Sequence, residues 1–168
     1  MKSFYFFLIS ICFYGGAFAQ IEGVSKIYAY KQKLKLGTVR VDESGREVPR
    51  KPQYNYFIYL ASTTSVKPIE IWINGEAYVP TVSKVTVTPV EYTNAFDPNQ
   101  SKILVPKIGK NVLQLSPSLT KINKPSLKGK TLSEKNELVI IYQGSGKIDK
   151  PYYKVVSKLT ELDPVDMQ

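Results

Sequence analysis

Through most of this chain, apolar and polar residues alternate with a period of two instead of recurring every three or four positions. Short β-branched or aromatic runs are bounded by Pro, Gly, Asn and Asp. The runs that fit strands are residues 24–31, 35–41, 55–61, 68–73, 76–79, 83–90, 102–105, 112–115, 137–143 and 152–159. Many short strands at this spacing predict an all-β fold, a single antiparallel β-sandwich that is immunoglobulin-like in the loose architectural sense.

The sharpest local signal lies between Ile69 and Val79, where Asn74-Gly75 supplies the two positive-φ residues of a type I′ hairpin turn. A two-residue turn sets the register: Ile73 faces Glu76, Trp72 faces Ala77, Ile71 faces Tyr78 and Glu70 faces Val79. Glu70 then shares a face with Trp72, and the three isoleucines Ile69, Ile71 and Ile73 share the other. Residues 84–88 alternate too, with Val85 and Val87 on one side. By contrast, residues 138–142 are apolar on both faces, which requires a cover on each. Helix is expected only locally. Ser116-Pro117 can open a turn as far as Ile122, and Thr131 to Glu134 has capping-box spacing. Both lie in a lysine-rich stretch, 116–136, read as a basic loop with helical turns, and 42–52 is a second, charged and proline-rich loop.

The first twenty residues follow a different pattern. A membrane-spanning helix needs about 20 apolar residues, but the apolar run from Phe4 stops short of that and contains Gly15-Gly16. One cation at Lys2, an apolar stretch over 4–14 and the small-residue end Ala17-Phe18-Ala19 predict a cleavable secretory signal, residues 1–19. Ile11 precedes Cys12 where a lipid-attachment signal wants a small side chain. The expected mature chain is one domain, residues 20–168, with no transmembrane span. It is exported to the periplasm, the cell surface or beyond.

Export leaves a domain without cysteine, because Cys12 is the one cysteine of the sequence, and the chain has no histidine. Thiol nucleophiles, Ser-His-Asp triads, imidazole bases and the usual zinc and haem ligands are all excluded, and no cofactor or metal is expected. Carboxylate-only glycosidase chemistry survives that exclusion, yet Glu70 and Glu76 point to opposite sides of their hairpin. Asp42, Glu43, Asp163 and Asp166 fall in segments expected to be mobile. The oxygen-rich run 94–99 reads as a turn, not a calcium loop. Gly144-Ser-Gly146 reads as a bend, since the residues after it do not open a helix.

Charge adds a direction. The formal net charge is +9, concentrated in 26–51 and 102–135, whereas the end of the chain, 160–168, is an acidic tail and a candidate docking segment. An exported basic surface meets anionic lipid, acidic glycan or acidic protein, and nucleic acid is set aside by compartment. The aromatic residues supply the candidate contacts: Trp72 beside Glu70, Tyr28 and Tyr30 on one face of the first strand, and Tyr59. Lys121, Lys124, Lys128 and Lys130 form the candidate basic surface. The expected function is non-catalytic, an accessory protein of a bacterial cell envelope that docks on another envelope protein. A carbohydrate-binding module built on exposed aromatics is the second reading, and a carboxylate-only glycan enzyme the third.

Overall fold

The computed structural model describes residues 23–37, 41–48, 51–94, 101–144 and 150–167. The predicted signal 1–19 lies outside them, as do most of the 94–99 run, part of the predicted strand 35–41 and most of the predicted bend at 144–146. The elements are β1 (Val24–Leu36), β2 (Gln53–Ser62), β3 (Val66–Ile73), β4 (Glu76–Val85), β5 (Val90–Thr93), β6 (Ser101–Val105), β7 (Asn111–Lys121), α1 (Leu127–Ser133), β8 (Leu138–Gly144), β9 (Pro151–Val156) and β10 (Thr160–Met167). Eight strands form one sheet in the order β10-β1-β2-β7-β4-β3-β8-β9, and β5 and β6 form a separate two-stranded ribbon. Among the described residues the fold is all-β apart from one short helix. Its core is built on a single curled sheet plus the ribbon, where two packed sheets were expected.

The curl follows from which residues meet. Val24 and Ala29 of β1 share a buried cluster with Leu138, Ile140 and Tyr142 of β8, together with Ile58, Leu60, Ile71, Ile73 and Leu115 from the strands between. In a flat sheet β1 and β8 would lie about 24 Å apart, five strand spacings. They can share a core only because the sheet bends back on itself. Three residues, Ser157 to Leu159, join the two edge strands β9 and β10, which a curled sheet permits and a flat one does not.

Pairing is antiparallel except for β1 with β10, which is parallel. The sheet is therefore mixed, a departure from the antiparallel expectation. Residues 160–167, read from sequence as a tail, are a strand of this sheet, so Asp163 and Asp166 sit on ordered backbone. Other boundaries also shift. β1 runs unbroken for 13 residues across the place where two strands were expected. The alternation at 84–88 ends as a strand at Val85, which leaves Val87 in solvent. Ser116 and Pro117 belong to β7, and the helix of the basic stretch starts at Leu127 behind an N-cap at Ser126.

The hairpin forms in the expected register, with Ile71 opposite Tyr78, Trp72 opposite Ala77 and Ile73 opposite Glu76. Its turn residues have φ of 49° at Asn74 and 82° at Gly75. A register shift between Pro68 and Glu70 bulges Ile69 out of the alternation. Ile69 consequently packs with Trp72, while Ile71 and Ile73 enter the main core.

Candidate functional site

Two covers close the outer face of the sheet, and each hides residues that the sequence offered for contact. Trp72 is only 3% exposed, packed with Ala77, Val139 and Ile141 beneath α1. Glu70, also buried, accepts hydrogen bonds from Trp72 Nε1, from Ser126 N at 3.2 Å and from the Ser126 hydroxyl at 3.2 Å. That hydroxyl in turn accepts from Gly129 N at 3.1 Å, so a single serine caps the helix and ties it to the sheet. Gly129 is required by this closeness: a Cβ there would lie 2.6 Å from Ser126 Oγ and 2.9 Å from Ile141 Cδ1, and would collide with the Trp72 indole nitrogen. Trp72 and Glu70 are thus a structural latch, and of the two places open to Trp72, under a cover or outward as a contact, it takes the first, because α1 lies over it.

The β5–β6 ribbon is the second cover. Leu104 and Val105 pack on Tyr59, Val112 and Leu162, with Tyr28, Tyr30, Phe57 and Tyr92 around them. The Tyr30 hydroxyl donates to Leu104 O at 2.8 Å, and Gln32, itself buried, donates from Nε2 to Tyr92 Oη and to Asp163 O. Tyr59 is buried, and Tyr28 and Tyr30 are half-buried, with Lys26 over the Tyr28 ring and Lys102 over the Tyr30 ring. Burial, followed by the neighbouring tyrosine, pushes the Tyr30 and Tyr59 hydroxyls above their ordinary values, so both phenols stay protonated. The structure therefore brings Tyr28, Tyr30 and Tyr59 together and separates them from Trp72 and Glu70.

Beside the ribbon, β10 forms the wall between two clefts. One, of about 310 Å³, is lined by Tyr92, Ser101, Lys102, Glu161 and Asp163. The other, of about 260 Å³, is lined by Lys31, Lys33, Tyr54, Glu161, Asp163 and Pro164. At this corner Lys31 Nζ lies 3.2 Å from Glu137 and 3.3 Å from Glu161, and Glu137 also accepts from Leu159 N at 2.8 Å. Burial pushes the Glu137 carboxyl up, but the Leu159 amide and the Lys31 ammonium outweigh it and hold the group below the usual carboxylate range. Lys31 is raised, its burial outweighed by the two glutamates. An acid catalyst needs a carboxyl held in its protonated form near neutral pH; this pairing does the reverse and ties β1 to β10 and to the residue that leads into β8. Among the described residues no cluster of acids, His or Cys is placed to hold a metal ion, and no helix is long and apolar enough to cross a membrane.

Lys121, Lys124, Lys128 and Lys130 are all exposed, on the end of β7, the following turn and α1. Lys121 pairs with Glu76 at 3.1 Å, and Lys128 sits 4.3 Å above the Tyr153 ring. Sequence reasoning missed Ser126, Gln32 and Leu119. Ser126 did carry a signal, as a serine directly before a short apolar-basic run, but no acid stands three residues later and Gly129 weakens the helical pattern. Gln32 and Leu119 carried none, because their roles depend on the ribbon and on a bulge. No family model, curated protein or solved structure matches the chain.

Proposed function

We infer that this chain is exported by cleavage before Gln20 and acts without catalysis, as an accessory protein of a bacterial cell envelope that docks on another envelope protein. The observation that carries the docking is the inequality of the two sheet edges. The β10 edge has Glu161, Asp163 and Asp166, and a register shift places Asp163-Pro164 in a bulge, all devices that blunt strand addition. On β9, Lys154 is the one charged residue between Pro151 and Val156, Val155 is exposed, and only β8 pairs with it among the described residues. With Pro151 at its start and a single lysine within it, this six-residue edge is blunted less than that of β10 and suits an extended segment of a partner, which gains main-chain hydrogen bonds there.

Neighbouring residues of an edge strand alternate between an N–H aimed at the paired strand and one aimed outward. Lys154→Pro and Val155→Pro therefore differ: one breaks the β8 ladder and lowers stability, while the other removes an outward donor and leaves the melting temperature near its original value. Crosslinking in the native envelope is expected to capture a protein partner with the original chain and to lose it with the stability-neutral proline variant. Full capture by that variant sinks the reading.

The clefts beside β10 favour a second reading, a saccharide site in which Tyr54 or Tyr92 stacks on a ring and Asp163, Lys33 or Lys102 bonds its hydroxyls. Recovery of a glycan in place of protein, released by Tyr54→Ala, would promote it.

A further inference from the structure

Two leucines stand in solvent at one corner of the sheet. Leu119 is 105% exposed and Leu127 is 84% exposed. Single exposed apolar residues are ordinary, but local structure holds each of these in place. Tyr78 pairs with Lys121 and Pro80 with Pro117, so residues 118–120 bulge opposite Val79. The Ser118 hydroxyl donates to Thr120 O at 3.0 Å and accepts from Thr120 N at 3.2 Å, which leaves Leu119 at the tip. Ile122 N then donates to Ala77 O at 3.2 Å, and Ser126 is tied to Glu70. Ala77 faces Trp72, two residues from Glu70, so both anchors fall on β3 and β4. Leu119 precedes the first anchor and Leu127 follows the second, and both leave the sheet from this corner. Lys121, Lys124, Lys128, Lys130 and Lys135 accompany them, against Glu134 and Glu76, the latter already paired with Lys121.

We propose that this corner adsorbs to the surface of a bilayer rich in anionic phospholipid, with Leu119 and Leu127 in the headgroup boundary and the lysines against the phosphates. Charge complementarity favours an anionic surface. The shape favours a fluid one: the two apolar tips are separated by lysines, whereas a protein hot spot is a contiguous, desolvated patch. This surface borders β9 at Lys128, which lies over the Tyr153 ring, so the lysine variants change Lys124 and Lys130 and leave Lys128 in place.

The test uses the protein recovered in its natural exported form, sedimented with vesicles of phosphatidylcholine alone or mixed with phosphatidylglycerol. Binding is expected to the mixed vesicles, to weaken with added salt, and to fall about tenfold or more in Leu119→Asp/Leu127→Asp and in Lys124→Glu/Lys130→Glu. Any adsorption by residues 4–14, where retained, is common to all variants and cancels. Circular dichroism checks the fold, and Leu119→Ala/Leu127→Ala replaces the aspartate pair if that variant unfolds. Equal binding to both vesicle types, or unchanged binding by both the leucine and the lysine variants, overturns the proposal. Binding to soluble polyglutamate without binding to mixed vesicles also overturns it, in favour of an acidic protein partner.

Discussion

The ribbon and the helix cover neighbouring regions of the same outer sheet face, but they are attached by different physics. The ribbon is held chiefly by apolar burial: Leu104 and Val105 are almost wholly removed from water, and the hydrogen bonds at Tyr30 and Gln32 orient what packing already holds. The seven-residue helix fully buries only Gly129 and Ser133, sets half-buried Leu132 against the Trp72 cluster and turns Leu127 outward, so it has less apolar area with which to adhere than the ribbon. Its position depends on Glu70, whose carboxylate joins the indole below to the helix cap above. Apolar burial is non-directional and tolerates small shifts. A buried carboxylate accepting several donors defines one placement and is costly to remove. A short helix with a weak apolar face can therefore be as firmly placed as a larger ribbon, provided the polar partners beneath it are complete.

Removing apolar area from the ribbon gives the largest expected effect. Leu104→Ala should destabilise the protein by about 3 kcal/mol through lost burial and the cavity left behind. Amide exchange should speed up in β5 and β6 while α1 stays protected; equal loss of protection in α1 would show that the two covers are coupled. Glu70→Ala strands the Trp72 and Ser126 donors in a buried place, at a cost of about 2 kcal/mol. Trp72 is the single tryptophan of the chain, so a red shift of its emission reports the helix lifting. Unchanged emission would mean that packing at Gly129 holds the helix without the carboxylate.

The smallest effect concerns pH and belongs to neither cover. Glu137 has a lowered folded pKa, so its contribution is fully present above its unfolded value and disappears as pH falls through the folded one. Glu137→Gln should flatten the acid limb of the stability curve while thermal melts of the Leu104 variant keep its shape. An acid limb that survives the substitution would place the titrating group elsewhere.

Where the cause is local, the sequence was legible. Asn74-Gly75 predicts a turn, its φ angles and the register on both sides, because these depend on four or five adjacent residues. The doubly apolar residues 138–142 announce that both faces of β8 are covered, and they are, by the main core on one face and by the cluster under α1 on the other. The aromatic candidates were another matter. A strand pattern states which residues share a face but not which face is closed, so Trp72 and Tyr59 read as fit for either core or contact.

The amino-acid sequence alone determined strand-rich structure, the hairpin, the lack of any imidazole and the lack of any thiol beyond Cys12, since each depends on residue type or near neighbours. Only the tertiary structure decided that β10 pairs in parallel with β1, that α1 and the ribbon hide the aromatics, and that Leu119 stands in water. Those outcomes depend on contacts between residues far apart in the chain, where loop closure and competition for burial select the partner and no local signal records the result.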